Sequence, residues 1–330
     1  MSTPDDLVRD WPRPYDFENV EIGGTDGTRL RLVVGGPRAG RPVVLLHGAP
    51  QLSYAWRRVM PLLKERYRLI APDLRGYGSS ALPRSGRYDL ETLVGDLRVT
   101  VEWARARYAE ALAGRAGGPR GDRLPPPGAS DGDTRVLLVG HDWGGLLGWL
   151  LAAERPEHLR HMVVINAPHP AAIREMLHPM QLARAWYIAL FQVPLLDQLI
   201  ERRNARFFLW MMTHSAPPGT FDPADLSFYR GAFARPGRSR AVLEGYRQLV
   251  RRPYGDREVI ARPMTVPTTV LWGEDDAALR PALAEAARRF AEKIEIQRLP
   301  GVSHWVPEER PEVVAEAVLA ADRGGAGAQE

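Results

Sequence analysis

Residues 140–145 of the chain read Gly-His-Asp-Trp-Gly-Gly, a tight turn of small residues around one aspartate. The apolar run at 135–139 before it predicts a buried strand, and the apolar run at 146–151 after it predicts a buried helix. Small residues let a strand and a helix approach closely, and the central residue then takes a strained conformation that pushes its side chain outward. The stretch is therefore typical of a nucleophile elbow with Asp142 at its tip.

An aspartate at this position restricts the chemistry, because most hydrolases of this architecture have a serine there. The dipole of the following helix favours the ionised carboxylate of Asp142. Attack of a carboxylate on an ester or amide would form a mixed anhydride, whereas attack on a saturated carbon forms an ordinary ester by displacement. We therefore expect a substrate with an electrophilic sp3 carbon. The alternative is a glycine-rich turn without a catalytic role, and the order of the other motifs argues against it.

Length and composition are those of a globular protein with one sizeable core. The chain has 330 residues, 45% of them hydrophobic, and no cysteine, which excludes disulfides, a thiolate nucleophile and cysteine-ligated metals. No apolar run is long enough to span a membrane, and residues 1–13 are polar, so we expect a cytoplasmic protein. The 44 basic residues, nearly all arginine, are scattered among 40 acidic ones, which favours a solvated surface over a nucleic-acid interface.

Short apolar runs bounded by turn residues recur along the chain, with helix-like stretches between them. The pattern at 17–34 predicts a hairpin around 24–27, and helices are expected near 53–64 and 89–111. Alternating strands and helices predict an α/β fold with a mostly parallel sheet covered on both faces. The other predicted strands lie at 43–46, 67–71, 136–139, 161–165, 268–272 and 293–299.

Residues 169–262 break this rhythm, because they are aromatic-rich and helix-like, as at 180–196 and 241–250. We expect them to form a helical cap over the carboxyl ends of the strands, where α/β sheets bind their ligands. Residues 114–134 are rich in Gly, Pro, Arg and Asp, and predict a mobile surface insertion that cannot continue a helix. The remaining predicted parts are an N-terminal tail at 1–14, two core parts at 15–168 and 263–322, and a frayed tail at 323–330.

A candidate base and its carboxylate follow later strands. His304, in Gly-Val-Ser-His-Trp at 301–305, comes after the last predicted strand and is placed to activate water against an ester on Asp142. The other seven histidines are expected to be mostly structural. A histidine base needs a carboxylate to hold its tautomer, and the chain offers Asp276, which we favour, and Asp275 as the alternative. The resulting order of nucleophile, acid and base is the one described for elbows of this kind.

The run His-Gly-Ala-Pro at 47–50 follows an early strand, where such folds supply one N–H of an oxyanion hole. We predict that the backbone N–H groups of Ala49 and Trp143 hold the oxyanion that forms when water attacks the Asp142 ester. Loss of such stabilisation typically costs roughly 3 kcal/mol. The same run is also an ordinary turn at the end of a strand.

Five motifs together resemble the epoxide hydrolases of the α/β-hydrolase family, over residues 15–320 without the 114–134 insertion. They are His-Gly-Ala-Pro at 47–50, Asp-Leu-Arg-Gly-Tyr-Gly-Ser-Ser at 73–80, Gly-His-Asp-Trp-Gly-Gly at 140–145, Asn-Ala-Pro-His-Pro at 166–170 and Gly-Val-Ser-His-Trp at 301–305. The resemblance implies an α/β-hydrolase fold with an inserted helical cap, a small apolar epoxide as substrate, a vicinal diol as product, and no cofactor or metal. We expect a monomer or homodimer without nucleic-acid or membrane partners.

The resemblance also implies two hydroxyl donors, because an opening epoxide leaves an alkoxide attached to the substrate. The family takes these donors from two cap tyrosines, which correspond to Tyr187 and Tyr246 in this chain. The chain departs from the family at 244–245, where Glu-Gly replaces an asparagine and an aromatic residue, and Tyr229 with the arginine after it offers a competing pair. Asn166 follows the predicted strand at 161–165, so no acid stands after that strand. This favours Asp276 as the carboxylate that orients the histidine.

Haloalkane dehalogenases share the aspartate mechanism and are the first alternative. A departing halide needs N–H donors, and Ala49 stands where many of those enzymes have a halide-binding asparagine, although the Trp143 indole offers one N–H. Fluoroacetate-type dehalogenases fit less well, because Trp143 replaces the arginine expected to grip a substrate carboxylate. The second alternative is a catalytically silent ligand-binding protein on the same scaffold, and the full set of Asp142, Asp276 and His304 argues against it.

Overall fold

Eight strands form one sheet in a computed structural model of the chain, which describes residue 11 and residues 16–116, 132–252 and 257–324. Each apolar run that predicts a strand is found as a strand, with bounds that differ by one or two residues. The strands are β1 (Glu18–Gly23), β2 (Arg29–Gly35), β3 (Pro42–Leu46), β4 (Arg68–Pro72), β5 (Val136–His141), β6 (Leu159–Ile165), β7 (Thr268–Gly273) and β8 (Ile294–Leu299).

The strand order in the sheet is β1-β2-β4-β3-β5-β6-β7-β8. β2 is antiparallel to both β1 and β4, and its pairing with β1 sets Glu18 opposite Val34 in the predicted hairpin. All the other neighbouring strands are parallel. The carboxyl ends of β3, β5, β6, β7 and β8 therefore meet at one edge of the sheet, and the predicted mostly parallel α/β fold is confirmed.

Helices flank this sheet in two groups: α2 contacts α3, and α1 contacts α14. Within the described ranges, no helix is both long and apolar enough to cross a lipid bilayer. The helices are α1 (Met60–Leu63), α2 (Leu90–Ala116), α3 (Trp143–Glu154), α4 (Ile173–Met176), α5 (Pro179–Arg184), α6 (Trp186–Phe191), α7 (Leu196–Arg202), α8 (Arg206–His214), α9 (Pro223–Phe233), α10 (Arg238–Arg251), α11 (Arg257–Ala261), α12 (Ala282–Ala286), α13 (Val306–Glu309) and α14 (Pro311–Gly324).

The turn between β5 and α3 has the strained geometry of an elbow. Asp142 adopts φ 51° and ψ −116°, a conformation that L-residues rarely take. The turn is possible because its neighbours lack side chains: a Cβ on Gly144 would collide with the backbone carbonyl of Leu46 in β3, and a Cβ on Gly140 would collide with Gly144. Helix α3 can therefore approach the sheet closely enough to leave Asp142 at the carboxyl edge.

Helices α4 to α11 occupy the described chain between β6 and β7. The helix expected at 180–196 is interrupted: α5 ends at Arg184, α6 ends at Phe191, and α7 begins only after Leu195, which is left-handed with φ 63°. Pro194 has no N–H to continue a helix across this point. The helix expected near 53–64 is likewise divided into a 3-10 turn at Ser53–Trp56 and the short α1.

The expectation that residues 114–134 cannot continue a helix is wrong at their start, because α2 extends to Ala116. At their end, Asp133 pairs with the buried Arg160 at 2.7 Å, so this part is fixed to the sheet rather than free. The rest of that insertion, most of the expected tail at 1–14, and residues 325–330 of the expected tail at 323–330 lie outside the described residues.

We predict that replacement by alanine changes the free energy of unfolding in opposite directions at Gly144 and at Gly114. Gly144→Ala should lower the free energy of unfolding by about 2 to 3 kcal/mol, because its Cβ has no space against β3. Gly114→Ala, on an exposed part of α2 with open space around it, should raise that free energy by about 0.5 to 1 kcal/mol. Denaturant unfolding of both variants measures this, and equal effects would contradict the packing described for the elbow.

Candidate active site

The residues predicted for the site lie on loops that follow parallel strands at the carboxyl edge of the sheet. Ala49 follows β3, Asp142 follows β5, Asp276 follows β7 and His304 follows β8. Ala49, Asp276 and His304 are buried, and Asp142 is partly buried. The topology of the sheet therefore brings together residues that are far apart in the sequence, up to the 255 positions between Ala49 and His304.

The carboxylate of Asp142 is held by backbone N–H groups. Its Oδ2 accepts the N–H of Ala49 at 2.9 Å, and the N–H of Trp143 also stabilises the ionised form. This approach requires Gly48, since a Cβ there would lie 2.5 Å from the Cβ of Asp142. Burial raises the pKa of the Asp142 carboxyl, and His304 with the two N–H groups opposes that shift. The start of the helix therefore favours the ionised carboxylate, as expected, but burial has the larger effect on the pKa of Asp142.

His304 and Asp276 form a buried pair. His304 Nδ1 lies 2.7 Å from Asp276 Oδ2, which also accepts the amide of Asn166 at 2.6 Å. Asp276 Oδ1 accepts the backbone N–H groups of Ala278 and Leu279 at 2.7 and 2.9 Å. Burial would raise the pKa of the Asp276 carboxyl, but the charge of His304 and these hydrogen bonds lower it. The acid is thus held as a carboxylate in a fixed orientation.

The structure separates the two candidate acids. Asp276 is 1% exposed and contacts His304, whereas Asp275 is exposed to solvent and donates its backbone N–H to the Val302 carbonyl. Only Asp276 is therefore in position to orient the histidine.

The protonation of His304 depends on the carboxylates around it. Burial alone would lower its pKa, but Asp276 and Asp142 raise the pKa of His304 to about 9. Because Nδ1 faces Asp276, the Nε2 atom is the one left for proton transfer. His304 lines a cavity together with Asp142, so both groups contact the same space.

His141 supports this arrangement, and the sequence interpretation assigned it no role. Its Nε2 donates to the backbone carbonyl of His304 at 2.8 Å, and the two rings are 4.7 Å apart. Burial lowers the pKa of His141 well below its usual value, so the ring is neutral. Its position directly before the predicted nucleophile in the elbow motif is the sequence feature that could have indicated a role at the site. The buried His47 and His169 and the partly buried His161 are likewise hydrogen-bonded and have lowered pKa values, as expected of structural histidines.

Tyr187 on α6 and Tyr246 on α10 meet above Asp142. Their ring centroids are 5.8 Å apart with nearly perpendicular planes, and both line the cavity that contains Asp142. Burial raises the pKa of both hydroxyls, and the charge of Asp142 adds to that shift. Both tyrosines are therefore protonated hydroxyl donors over the whole neutral range.

Arg247, next to Tyr246, holds the two tyrosine helices together. Its guanidinium donates to the carbonyls of Phe191 and Val193 at 2.9 Å each, which fixes the end of α6 against α10. The departures at 244–245 fit this packing: Glu244 pairs with Arg247 at 3.0 Å, and the Cα of Gly245 faces the Trp143 ring, which a Cβ there would meet at 3.6 Å.

The competing Tyr229 lies in a different buried network. Its hydroxyl donates to Glu308 at 3.2 Å and accepts the amide of Gln51 at 3.3 Å. Arg57 pairs with Glu308 at 2.7 Å and also with Asp225 on α9. We call Gln51, Arg57, Asp225, Tyr229 and Glu308 the buried ion network. It joins the loop after β3, helix α9 and the turn after His304, and Tyr229 does not line the cavity at Asp142.

Two adjoining cavities, of about 180 and 80 Å³, share Asp142, Tyr187 and Tyr246 in their linings. Trp186, Trp210 and Trp305 form apolar walls of the larger one, whereas Phe191, Phe208 and Phe228 from the same part of the chain are buried in the hydrophobic core. A cavity of about 450 Å³ that is lined by residues of β1, β4 and α2 contains none of the predicted site residues. Among the described residues, no three His, Asp or Glu side chains are grouped to hold a metal ion.

Comparisons with known proteins show the family to which the chain belongs. The sequence pattern of the alpha/beta hydrolase family matches residues 43–317. The AB hydrolase superfamily protein YfhM of Bacillus subtilis is 31% identical over 309 residues, which cover 92% of this chain and 98% of the relative. Epoxide hydrolase 3 of Xenopus tropicalis is 30% identical over 88% of this chain and 74% of the relative.

A solved structure from metagenomes of hot environments, described as an epoxide hydrolase of the alpha/beta hydrolases superfamily, is 26% identical with a TM-score of 0.74. The match covers 95% of this chain and 99% of that one. The chain therefore belongs to the alpha/beta hydrolase family, and the resemblance to the epoxide hydrolases of that family, indicated by its motifs, is confirmed.

Proposed function

We propose that the protein hydrolyses epoxides to vicinal diols through a covalent ester on Asp142. The observation that supports this most strongly is the shared cavity, in which a carboxylate at a strained elbow faces two tyrosine hydroxyls. The relatives named as epoxide hydrolases favour the same reaction. Helices α4 to α11 act as the cap that brings the tyrosines over the sheet edge.

The first step opens the ring. One oxygen of the Asp142 carboxylate attacks a ring carbon, the bond between that carbon and the epoxide oxygen breaks, and a carbon–oxygen bond to Asp142 forms. The epoxide oxygen develops negative charge and takes a proton from Tyr187 or Tyr246, since both hydroxyls are protonated and line the cavity at Asp142. The product of this step is a hydroxyalkyl ester of Asp142.

The second step hydrolyses that ester. Esterification removes the negative charge of Asp142, one of the causes that raise the pKa of His304, so the pKa of the imidazolium falls. The imidazolium gives its proton back to the tyrosinate that the first step leaves, and neutral His304 can then act as a base. His304 takes a proton from water, and the resulting hydroxide attacks the ester carbonyl carbon of Asp142. The oxyanion lies against the N–H groups of Ala49 and Trp143. Its collapse breaks the bond to the alkyl oxygen, and that oxygen takes the remaining proton of the attacking hydroxide. The diol leaves, His304 is again protonated, and Asp142 is again a carboxylate that contains one water oxygen.

Hydroxyl donors distinguish this proposal from dehalogenation. A departing halide leaves the substrate and is bound best by N–H donors, whereas the alkoxide of an opened epoxide stays attached and needs a proton. The cavity presents two tyrosine hydroxyls to Asp142, and Ala49 contributes its backbone N–H to the carboxylate itself. This arrangement favours epoxides over haloalkanes.

Removal of the hydroxyls tests the ring-opening step. Tyr187→Phe and Tyr246→Phe should each slow ester formation, and the double variant should slow it by roughly 100-fold or more. Tyr229→Phe, which changes a tyrosine of the buried ion network, should leave that rate close to the wild-type value. Stopped-flow measurement of a single turnover with styrene oxide reports the rate. Undiminished ring opening in the double variant would remove both tyrosines from the mechanism.

Replacement of the base tests the covalent intermediate. His304→Gln should trap the ester, because water is no longer activated, and the intact protein mass should rise by the full mass of styrene oxide, since the ring oxygen stays attached. An added alkyl group from a bromoalkane, with release of bromide, would instead favour the dehalogenase. An unchanged mass with either compound would contradict the two-step scheme, and a peptide map should locate the adduct on Asp142.

The two steps should depend differently on pH. Ester formation needs ionised Asp142, so its rate should fall as the pH drops through the raised pKa of that carboxyl. Ester hydrolysis needs neutral His304, so its rate should rise with pH and reach a plateau below about pH 9, because the ester lacks one charge that raises the pKa of the free site to about 9. Single-turnover rates across pH measure both. A hydrolysis rate that falls with rising pH would exclude His304 as the base.

A further inference from the structure

Arg184, at the end of α5, lines the larger active-site cavity together with Asp142 and His304. Its side chain is half-buried, and its Nη1 donates to the backbone carbonyl of Asp276 at 2.8 Å. None of the carboxylates in the described ranges lies within ion-pair distance of this guanidinium. One N–H group of the Arg184 guanidinium is therefore bound to the protein, and its other N–H groups have no partner among the described residues.

Other polar groups in the same lining are already engaged. The hydroxyl of Ser215 donates to the Met211 carbonyl at 2.6 Å and accepts the indole N–H of Trp305 at 3.0 Å. His214 Nδ1 lies 3.0 Å from the carbonyl of Trp210. Arg184 is thus the lining residue that keeps several strong hydrogen-bond donors available to a ligand.

A half-buried guanidinium between apolar walls calls for an anionic partner. Its planar pair of N–H groups matches a carboxylate, with two parallel hydrogen bonds. Trp186 and Trp210 border the same space, and apolar surroundings strengthen such a charge-assisted contact. The chemistry of the lining therefore fits a ligand that itself has a carboxylate.

The charge balance of the site permits such a ligand. The carboxylates of Asp142 and Asp276 are offset by protonated His304 and by Arg184, so the resting site is close to neutral. Without Arg184, a carboxylate on the substrate would enter a site with an excess negative charge and be repelled by the nucleophile. Arg184 bonds to Asp276, which bonds to His304 at 2.7 Å, so the anionic group would lie close to the reacting centre.

On the basis of the proposed epoxide hydrolysis, we propose that Arg184 is a specificity-determining residue that selects small epoxides bearing a carboxylate. The cavity volume of about 180 Å³ limits the substrate to a few carbon atoms between the ring and the carboxylate. Asp142 attacks the ring while Arg184 holds the carboxylate, and the product is a dihydroxy acid.

Glycidate and glycidamide test this selection, because they have the same shape and differ in charge. For Arg184→Gln, kcat/KM for glycidate should fall roughly 10- to 100-fold, mainly through KM, while kcat/KM for glycidamide stays nearly unchanged. Arg184→Lys should retain part of the preference, because it keeps the charge but loses the planar pair of donors. The control Arg202→Gln, an exposed position on α7 outside the cavity, should change neither value.

Comparison of the ratio of the two kcat/KM values between the wild type and Arg184→Gln cancels the different intrinsic reactivity of the two rings. An equal loss for both epoxides in Arg184→Gln would overturn the proposal, because Arg184 would then act only through Asp276. Values of kcat/KM that stay at the wild-type level for both epoxides in Arg184→Gln would also overturn it, while leaving epoxide hydrolysis intact. Styrene oxide separates the two levels: if the wild type turns over none of the three epoxides, the proposed function itself is wrong and this inference falls with it.

Discussion

The hydrogen bond from the Ala49 N–H to the Asp142 carboxylate connects the ends of two neighbouring parallel strands, and the rest of the site depends on it. It forms only because Gly48 and Gly144 let the loop after β3, the elbow and helix α3 approach one another. The strained backbone of Asp142 is stabilised by this packing. In the proposed mechanism the same N–H groups hold the resting carboxylate and later the oxyanion, so the second step needs no reorganisation of its donors.

The site is assembled from two parts of the chain with different properties. The sheet edge provides Asp142, Asp276 and His304, each on a loop that a buried strand holds in place. The helices between β6 and β7 provide the tyrosines and Arg184, and Arg247 ties the two tyrosine helices to each other. The nucleophile, the base and its acid therefore lie on loops that follow buried strands, whereas the proton donors and the residue proposed to select the substrate lie on the helices between β6 and β7, where Trp186 and Trp210 are exposed.

Much of this architecture is predictable from sequence, because fully buried parallel strands appear as short continuous apolar runs and the elbow has a recognisable glycine pattern. The choice between Asp275 and Asp276 was not decidable in the same way, since both are acids in one turn and only the fold buries one of them. The division of the 180–196 helix rests on a left-handed Leu195, which no periodicity reveals. Contacts of His141, Arg184 and Arg247 are made over long sequence distances, so their partners become visible only in three dimensions.

The buried ion network has a consequence for how molecules enter and leave. Arg57 bridges Asp225 on α9 and Glu308 beside the turn of His304, so a rigid-body swing of the whole helical segment would separate buried charges. Breaking a pair of this kind costs about 3 to 5 kcal/mol, which disfavours a hinged lid. Entry and exit of small molecules would then depend on local movements of α6 and α8, whose exposed Trp186 and Trp210 border the cavity.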